Sequence, residues 1–169
     1  MSLLKRICVT LQPAEEVDSN MFRILIPVDF SPDSKEFIEE GFKILPKVDE
    51  ASLIYVVPLG MKELEDFMEK GDLAMAKEKA EKKMNSFLHN LNIKAGRISH
   101  AISDGDPGRT LIDLANSGNF DAVLVGHRGY SYVEDFFIGS VTLKLISKAN
   151  VPVVVVKKNK SKGEVLEME

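Results

Sequence analysis

The sequence predicts an α/β fold: a single domain with a five-stranded, doubly wound parallel sheet and helices on both faces. Short runs of apolar residues alternate along the chain with longer amphipathic segments. Runs that are apolar on both faces are typical of strands in a parallel sheet that helices cover on both sides. The order of the segments is β-α-β-α-β-α-β-α-β, and right-handed crossovers then place helices on both faces of the sheet.

Five segments are predicted as strands. Four of them are almost wholly apolar, and the segment 97–102 is weaker because polar residues interrupt it. The predicted strands are residues 22–28, 51–57, 97–102, 122–125 and 151–156.

The helices between the strands have recognisable starts. The dipeptide Ser31-Pro32 resembles an N-cap followed by proline at the first helical position, and Asp106-Pro107 repeats this pattern. The longest helix is predicted from about residue 73 to 91, where apolar residues recur every three or four positions. A final helix is predicted over residues 140–149.

Length and composition limit the possible functions. The chain has 169 residues, of which 44% are hydrophobic and 28% charged, as in an ordinary globular protein. The net charge of -4 argues against a general nucleic-acid binder, which usually carries a basic surplus. No apolar run approaches the roughly 20 residues that cross a bilayer, and the start lacks a signal-peptide pattern. The single cysteine, Cys8, forms no internal disulfide, so we expect a cytoplasmic protein that binds no membrane.

Three regions are predicted along the chain. Residues 1–20 form an N-terminal extension before the first core strand, residues 21–158 form the domain, and residues 159–169 form a charged C-terminal tail. No internal repeat or linker divides the middle region.

Two glycine-rich segments follow the fourth predicted strand. The tetrapeptide Gly126-His127-Arg128-Gly129 is separated by nine residues from Gly139-Ser140-Val141-Thr142, which opens the last helix. Glycines let a backbone approach a phosphate closely, and the start of a helix offers unpaired N–H groups to an anion. The hydroxyl groups of Ser140 and Thr142 add donors. The pattern therefore predicts a phosphate site, although it is neither a Walker A sequence nor a dinucleotide fingerprint.

Simpler interpretations exist for each of these residues taken singly. Either glycine of the first segment could be an ordinary turn glycine, and Gly139-Ser140 an ordinary helix start. Asp29, directly after the first strand, could be a turn or capping residue. Arg128 could clamp a phosphate or be a solvated surface charge. The joint spacing of the four glycine-motif residues favours nucleotide binding.

With this spacing the chain resembles the ATP-binding branch of the universal stress protein family, whose signature is Gly-x-x-Gly, nine residues, then Gly-Ser or Gly-Thr. Further segments over about residues 22–158 look like family elements: the first strand and turn (24–31), the second strand (53–57), the Gly-Asp-Pro helix start (105–107) and the closing strand (150–156).

The resemblance implies a set of ligand-binding residues. Asp29 would approach the nucleoside, Pro27 and Val28 would line the base pocket, and Val56 would contact adenine through its backbone. The residues expected around ribose and phosphates are Gly126, His127, Arg128, Gly129, Gly139, Ser140, Val141 and Thr142. The implied ligand is ATP or another adenine nucleotide, with Mg or Mn on the triphosphate and no metal site made by the protein alone. The family also implies a homodimer through the last strand, Val153 to Val156, whose apolar edge is a template for pairing.

Three functions remain open from the sequence. The first is a nucleotide-responsive stress-response regulator with little turnover, because no P-loop lysine motif, kinase-like set or activating base is present. The second is a slow metal-dependent ATPase or phosphotransferase that uses Asp29 with a metal and Arg128 or Ser140 on the phosphates. The third is a protein-interaction module that binds no nucleotide, which the acidic residues Glu134 and Asp135 of the nine-residue loop keep open. The protein partner is unknown in each case.

Overall fold

A computed structural model describes residues 20–31, 33–59, 70–127 and 138–157. The predicted tail, the first 19 residues of the predicted extension, and Arg128, Gly129, Glu134 and Asp135 lie outside the described residues.

The described chain forms five strands and four helices in the predicted order. They are β1 (Arg23–Pro27), α1 (Ser34–Ile44), β2 (Glu50–Pro58), α2 (Lys70–Asn90), β3 (Arg97–Gly105), α3 (Pro107–Ala115), β4 (Ala122–Gly126), α4 (Ser140–Lys148) and β5 (Val153–Val156). The observed bounds differ from the predicted ones by a few residues. The last strand begins at Val153 because Pro152 has no N–H to donate to a ladder.

The sheet is parallel throughout and has the order β3-β2-β1-β4-β5, which confirms the predicted fold class. Along β2 the pairing with β1 runs from Glu50 opposite Arg23 to Ile54 opposite Pro27. β2 continues to Pro58, so its second half extends beyond the carboxyl end of β1.

Two hydrophobic clusters hold the layers together, one on each face of the sheet. Ile24 and Ile26 of β1 pack with α1 and α2, while Leu25 between them packs with α3 and α4. All three side chains are fully buried. This alternation follows from the two-residue period of a strand and explains why β1 is apolar at every position.

The two predicted helix starts have different outcomes. The prediction for Asp106 is confirmed: its carboxylate accepts the Arg109 N–H at 2.7 Å, and Pro107 is the first helical residue. The prediction for Ser31 is wrong, since α1 begins at Ser34 with Asp33 as N-cap. The Ser31 carbonyl instead accepts the Ser34 N–H at 3.0 Å in a turn that precedes the helix.

No helix in the described part of the chain combines the length and apolar character that crossing a membrane requires.

Candidate functional site

The order of the strands reverses between β1 and β4. From β1 the chain winds outward through β2 to β3, and then returns to β4 and β5 on the other side. A crevice forms at such a switch point beyond the carboxyl ends of the strands, where open α/β sheets bind their ligands. The predicted site residues follow β1 and β4 or begin α4, so the topology brings both groups to this edge.

Asp29 follows β1 and has a structural role. Its Oδ1 atom accepts the Ser31 N–H at 2.9 Å and the Ser34 hydroxyl at 2.5 Å. Ser31 and Ser34 are themselves buried and their hydroxyls lie 3.0 Å apart. This network fixes the turn between β1 and α1, as the capping interpretation of Asp29 predicts. No described residue donates a hydrogen bond to Oδ2, so this oxygen can still accept one from a ligand.

Val56 lies on the part of β2 that extends beyond β1. The Ile54 carbonyl accepts the Val28 N–H at 2.8 Å, which is the last described backbone bond between these chain segments. Peptide groups two residues apart on a strand point to the same side, so the Val56 N–H and carbonyl face the gap that follows β1. The Val56 and Val28 side chains are both buried, at 5% exposure.

Hydrogen bonds join the two ends of the glycine motif. The His127 carbonyl accepts the Gly139 N–H at 3.0 Å, and the His127 N–H donates to the Val156 carbonyl at 2.8 Å. The chain thus returns to the end of β4 before α4 begins. His127 and Gly139, twelve positions apart in the sequence, thus become neighbours, so the spacing of the motif lets the chain leave β4 and return to its end.

Thr142 secures the first turn of α4 to the end of β4. Its side chain is 4% exposed, and its hydroxyl donates to the Gly126 carbonyl at 2.8 Å. The sequence-based expectation that this hydroxyl is a donor for phosphate does not hold in this conformation, because its only hydrogen is already engaged. Ser140 is exposed and its hydroxyl lies on the solvent side, whereas Val141 packs into the core under α3 and α4.

Gly126 has a packing role that sequence reasoning missed. A Cβ atom at this position would lie 2.7 Å from Cδ1 of Phe37 on α1. Real Cβ atoms do not approach carbon so closely, so any side chain here would displace Phe37 or the strand. The two residues are 89 positions apart, and no local sequence signal pairs them.

The N-termini of α3 and α4 differ in how they are capped. At α3, the Asp106 carboxylate accepts the N–H of Arg109 in the first turn. At α4, the N-cap is Gly139, which has no side chain to do so. The first N–H groups of a helix have no intrahelical acceptor. Among the described residues, no side chain caps the α4 N-terminus, which directs its first N–H groups and the positive end of its dipole to the edge where the strand order reverses.

A positively charged side chain lies near this edge. Lys144, in the second turn of α4, is half exposed and lies 3.7 Å from Asp106. It packs over Gly108, where a Cβ atom would meet its Cδ at 2.5 Å. The N-termini of α3 and α4 thus lie side by side.

The structure describes ten of the twelve predicted site residues, and all ten lie at two neighbouring places in the fold. Pro27, Val28, Asp29 and Val56 lie at the ends of β1 and β2, and Gly126, His127, Gly139, Ser140, Val141 and Thr142 lie at β4 and α4. Sequence reasoning missed the aromatic residues beside Asp29: the Phe30 ring lies 4.6 Å from that of Tyr55 and 6.0 Å from that of Phe87. Their only sequence signal is that Phe30 directly follows Asp29.

Comparisons with known proteins agree on one family. The profile described as the universal stress protein family matches residues 21–157. Universal stress protein MJ0577 of Methanocaldococcus jannaschii is 27% identical over 157 residues, covering 82% of this chain and 96% of that protein. Universal stress protein MJ0531 of the same organism is 29% identical over 150 residues, covering 82% and 83%. The solved structure of MJ0577 superimposes with a TM-score of 0.68 at 28% identity, covering 83% of this chain and 98% of that one.

Proposed function

Because the chain belongs to the universal stress protein family, we propose that it binds ATP or a close adenine nucleotide and acts as a regulatory module with little turnover. The site is the edge where the strand order reverses, between β1 and β4. The uncapped N-terminus of α4 is the observation that carries this proposal. Gly139 is held against the end of β4, where its helix can receive an anion.

The phosphates bind at the start of α4 in this proposal. The N–H groups of Ser140 and Val141 and the Ser140 hydroxyl donate to phosphate oxygens. Arg128 and Gly129, which precede the nine-residue loop in the sequence, complete the phosphate site, as the family resemblance implies. Thr142 and Gly126 contribute by holding α4 and β4 in register rather than by touching the ligand.

The base binds in the gap beyond β1. Val56 offers an N–H donor and a carbonyl acceptor two residues after the last backbone bond to the β1 segment. One donor and one acceptor on neighbouring atoms match the hydrogen-bonding edge of adenine. The Oδ2 atom of Asp29 accepts a ribose hydroxyl, because its Oδ1 atom is already engaged.

In this proposal the divalent cation is bound by the triphosphate and enters the site with it. No group of three or more histidine, cysteine, aspartate or glutamate side chains within the described ranges could hold a metal ion. Mg usually binds through substrate phosphates and one or two carboxylates, so such a cluster is not required. The protein's own part is to hold the phosphates at the α4 N-terminus.

The substitution Gly139→Asp tests the phosphate site. Gly139 has φ -57 and ψ 144, an extended conformation that aspartate also adopts, and aspartate is a favourable N-cap. The carboxylate would occupy the free N–H groups and repel the phosphates, so we expect the affinity for Mg-ATP to fall at least tenfold (~1.4 kcal/mol). Gly139→Asn is the matched control, since it has the same shape and no charge.

The measurement is a calorimetric titration of Mg-ATP into the nucleotide-free protein, with thermal unfolding of each variant to verify the fold. Mass spectrometry of the supernatant from denatured protein identifies any nucleotide retained through purification. Equal affinity of Gly139→Asp and wild type would contradict the placement of the phosphates. No binding of any adenine nucleotide by the wild type would instead favour the protein-interaction module.

We also propose that two copies pair through β5. This strand is at the edge of the sheet, and its four valines are all partly exposed in the single chain. Val154 and Val156 contact the cluster under α1 and α2, while Val153 and Val155 contact the cluster under α3 and α4. Analytical ultracentrifugation tests this assembly, and a monomer mass at every concentration would contradict it.

A further inference from the structure

A groove of about 540 Å³ runs between α1 and α2, on the face of the sheet away from α3 and α4. Two aromatic and four basic side chains line it, and every charged residue in its lining is a lysine. They are Phe30, Phe87, Lys35, Lys79, Lys82 and Lys83.

Counting ion pairs among the described residues only, the groove retains a positive charge. Lys82 lies 2.7 Å from Glu78, and Lys35 lies 3.7 Å from Glu39. Lys79 and Lys83 form no ion pair with any residue that the structure describes. Lysines that converge on one groove without carboxylate partners repel one another and attract an anionic ligand.

The aromatic side chains give the groove an apolar floor. Phe30 has φ 57, which is unusual for a residue with a side chain, so tertiary packing must hold it there. That packing comes from Tyr55, at 4.6 Å between ring centroids, and Phe87, at 6.0 Å. The Lys83 ammonium lies 6.0 Å from the Phe30 ring centroid, above the same floor. A ligand for this groove therefore carries both carboxylates and apolar groups.

The last seven residues of this chain have that composition, and a lysine-rich stretch, residues 157–162, connects them to β5. Residues 163–169 read Gly-Glu-Val-Leu-Glu-Met-Glu, with three glutamates, three apolar residues and no basic residue. We propose that this segment binds in the groove of its own chain. The glutamates pair with Lys79 and Lys83, and the apolar side chains pack on Phe30 and Phe87.

The chain between β5 and the segment 163–169 is long enough for the segment to reach the groove. The chain leaves the sheet after β5 at the same edge at which Phe30 follows β1. β5 is two strands away from β1, a lateral distance of about 10 Å. The six residues that follow Lys157 span up to about 20 Å when extended. The segment can therefore reach the groove across the N-terminus of α1.

Carbodiimide cross-linking of the full chain tests the docking, because this reagent joins a carboxylate to an amine only when the two are in contact. A mixture of ¹⁵N-labelled and unlabelled protein is cross-linked, digested and analysed by mass spectrometry. We expect Glu164 or Glu167 linked to Lys79 or Lys83 within peptides of a single isotope composition. Lys94, which is exposed and does not line the groove, serves as the reference amine.

Three results would overturn the proposal. In an equimolar mixture, links of mixed isotope composition as abundant as links of single composition would mean that a second copy supplies the segment. Links to Lys94 as abundant as those to the groove would mean random encounter. The absence of any link from the segment would leave the groove to an acidic segment of another protein.

Charge reversal provides a second readout in the full chain. Amide resonances of Phe30 and Phe87 should shift in the double variant Glu164→Lys/Glu167→Lys, and in Lys79→Glu/Lys83→Glu. Combining the four substitutions should restore the wild-type positions, since the opposite charges then face each other again. Failure of this restoration would contradict the pairing. The docking does not depend on nucleotide binding, so the two proposals succeed or fail separately.

Discussion

Replacing Thr142 with valine separates two roles for its hydroxyl group. If the hydroxyl holds α4 to β4, its loss destabilises the protein without any nucleotide present. If it binds a phosphate, its loss lowers nucleotide affinity and leaves the unliganded protein unchanged. The structure favours the first role, because the hydroxyl donates to the Gly126 carbonyl at 2.8 Å in a buried position.

The expected loss of stability in Thr142→Val follows from the Gly126 carbonyl, which loses its hydrogen-bond donor. Valine has nearly the shape of threonine, so the substitution creates little cavity. The Gly126 carbonyl, however, loses a donor where water has no access, since Gly126 is buried and Thr142 is 4% exposed. Leaving a buried polar group unpaired costs about 1–3 kcal/mol. For a domain of this size, about 2 kcal/mol lowers the melting temperature by about 4–8 °C.

Urea denaturation of the nucleotide-free protein measures this free energy. The control is Thr142→Ser, which keeps the hydroxyl and removes one methyl group, a loss of about 0.8 kcal/mol. A stability loss in Thr142→Val no larger than that in Thr142→Ser would refute the reasoning. So would a full loss of ATP affinity in Thr142→Val with unchanged unfolding.

Three further predictions concern the stability of the fold. Gly126→Ala should destabilise the protein by about 1–3 kcal/mol, because its Cβ would lie 2.7 Å from Phe37; the measurement is urea denaturation. Asp106→Ala should cost about 1 kcal/mol in thermal unfolding, because α3 loses its side-chain cap. The pKa of Asp49 is lowered below its ordinary value of 3.8, mainly by the hydrogen bond from the Phe22 N–H and to a smaller extent by the Lys47 ammonium. The Asp49 carboxylate therefore stabilises the fold at pH values above 3.8. The stability difference between wild type and Asp49→Ala, measured by denaturation, should shrink as pH falls through this lowered pKa.

Matched variants make each of these outcomes decisive. Phe37→Leu in the Gly126→Ala background should recover part of the lost stability, and no recovery would contradict the close contact. Asp106→Asn should retain most of the cap, so equal losses in the alanine and asparagine variants would contradict capping as the cause. A stability difference at Asp49 that grows toward acid pH would contradict the sign of its pKa change.

Local patterns predicted the elements well where the physical cause is itself local. The start of α3 could be predicted because Asp106 and Pro107 act on the next few residues. The start of α1 could not: Asp29 takes the Ser31 N–H and the Ser34 hydroxyl, so the helix begins after this network instead of at Ser31. Ser31 and Asp33 are both favourable N-caps by residue type, so residue type alone does not choose between them.

The candidate site shows the same division. The glycine spacing predicted that residues 126 and 139 act together, and their segments meet through the His127–Gly139 hydrogen bond. The direction of the Thr142 hydroxyl and the contact of Gly126 with Phe37 were not predictable. Both depend on how α1 and α4 pack against β4, which residues far apart in the sequence decide.

By itself, the sequence determined the alternation of strands and helices, the parallel sheet and the positions of the ligand-binding candidates after their strands. These properties depend on the spacing of hydrophobic residues and on the order of the segments, both of which can be read from residues close together in the sequence. Only the tertiary structure decided the order β3-β2-β1-β4-β5, the extension of β2 beyond its pairing with β1, and the groove where lysines of α1 and α2 meet over Phe30. These features depend on which elements pack side by side. That arrangement is set by the burial of both sheet faces, to which residues from the whole chain contribute.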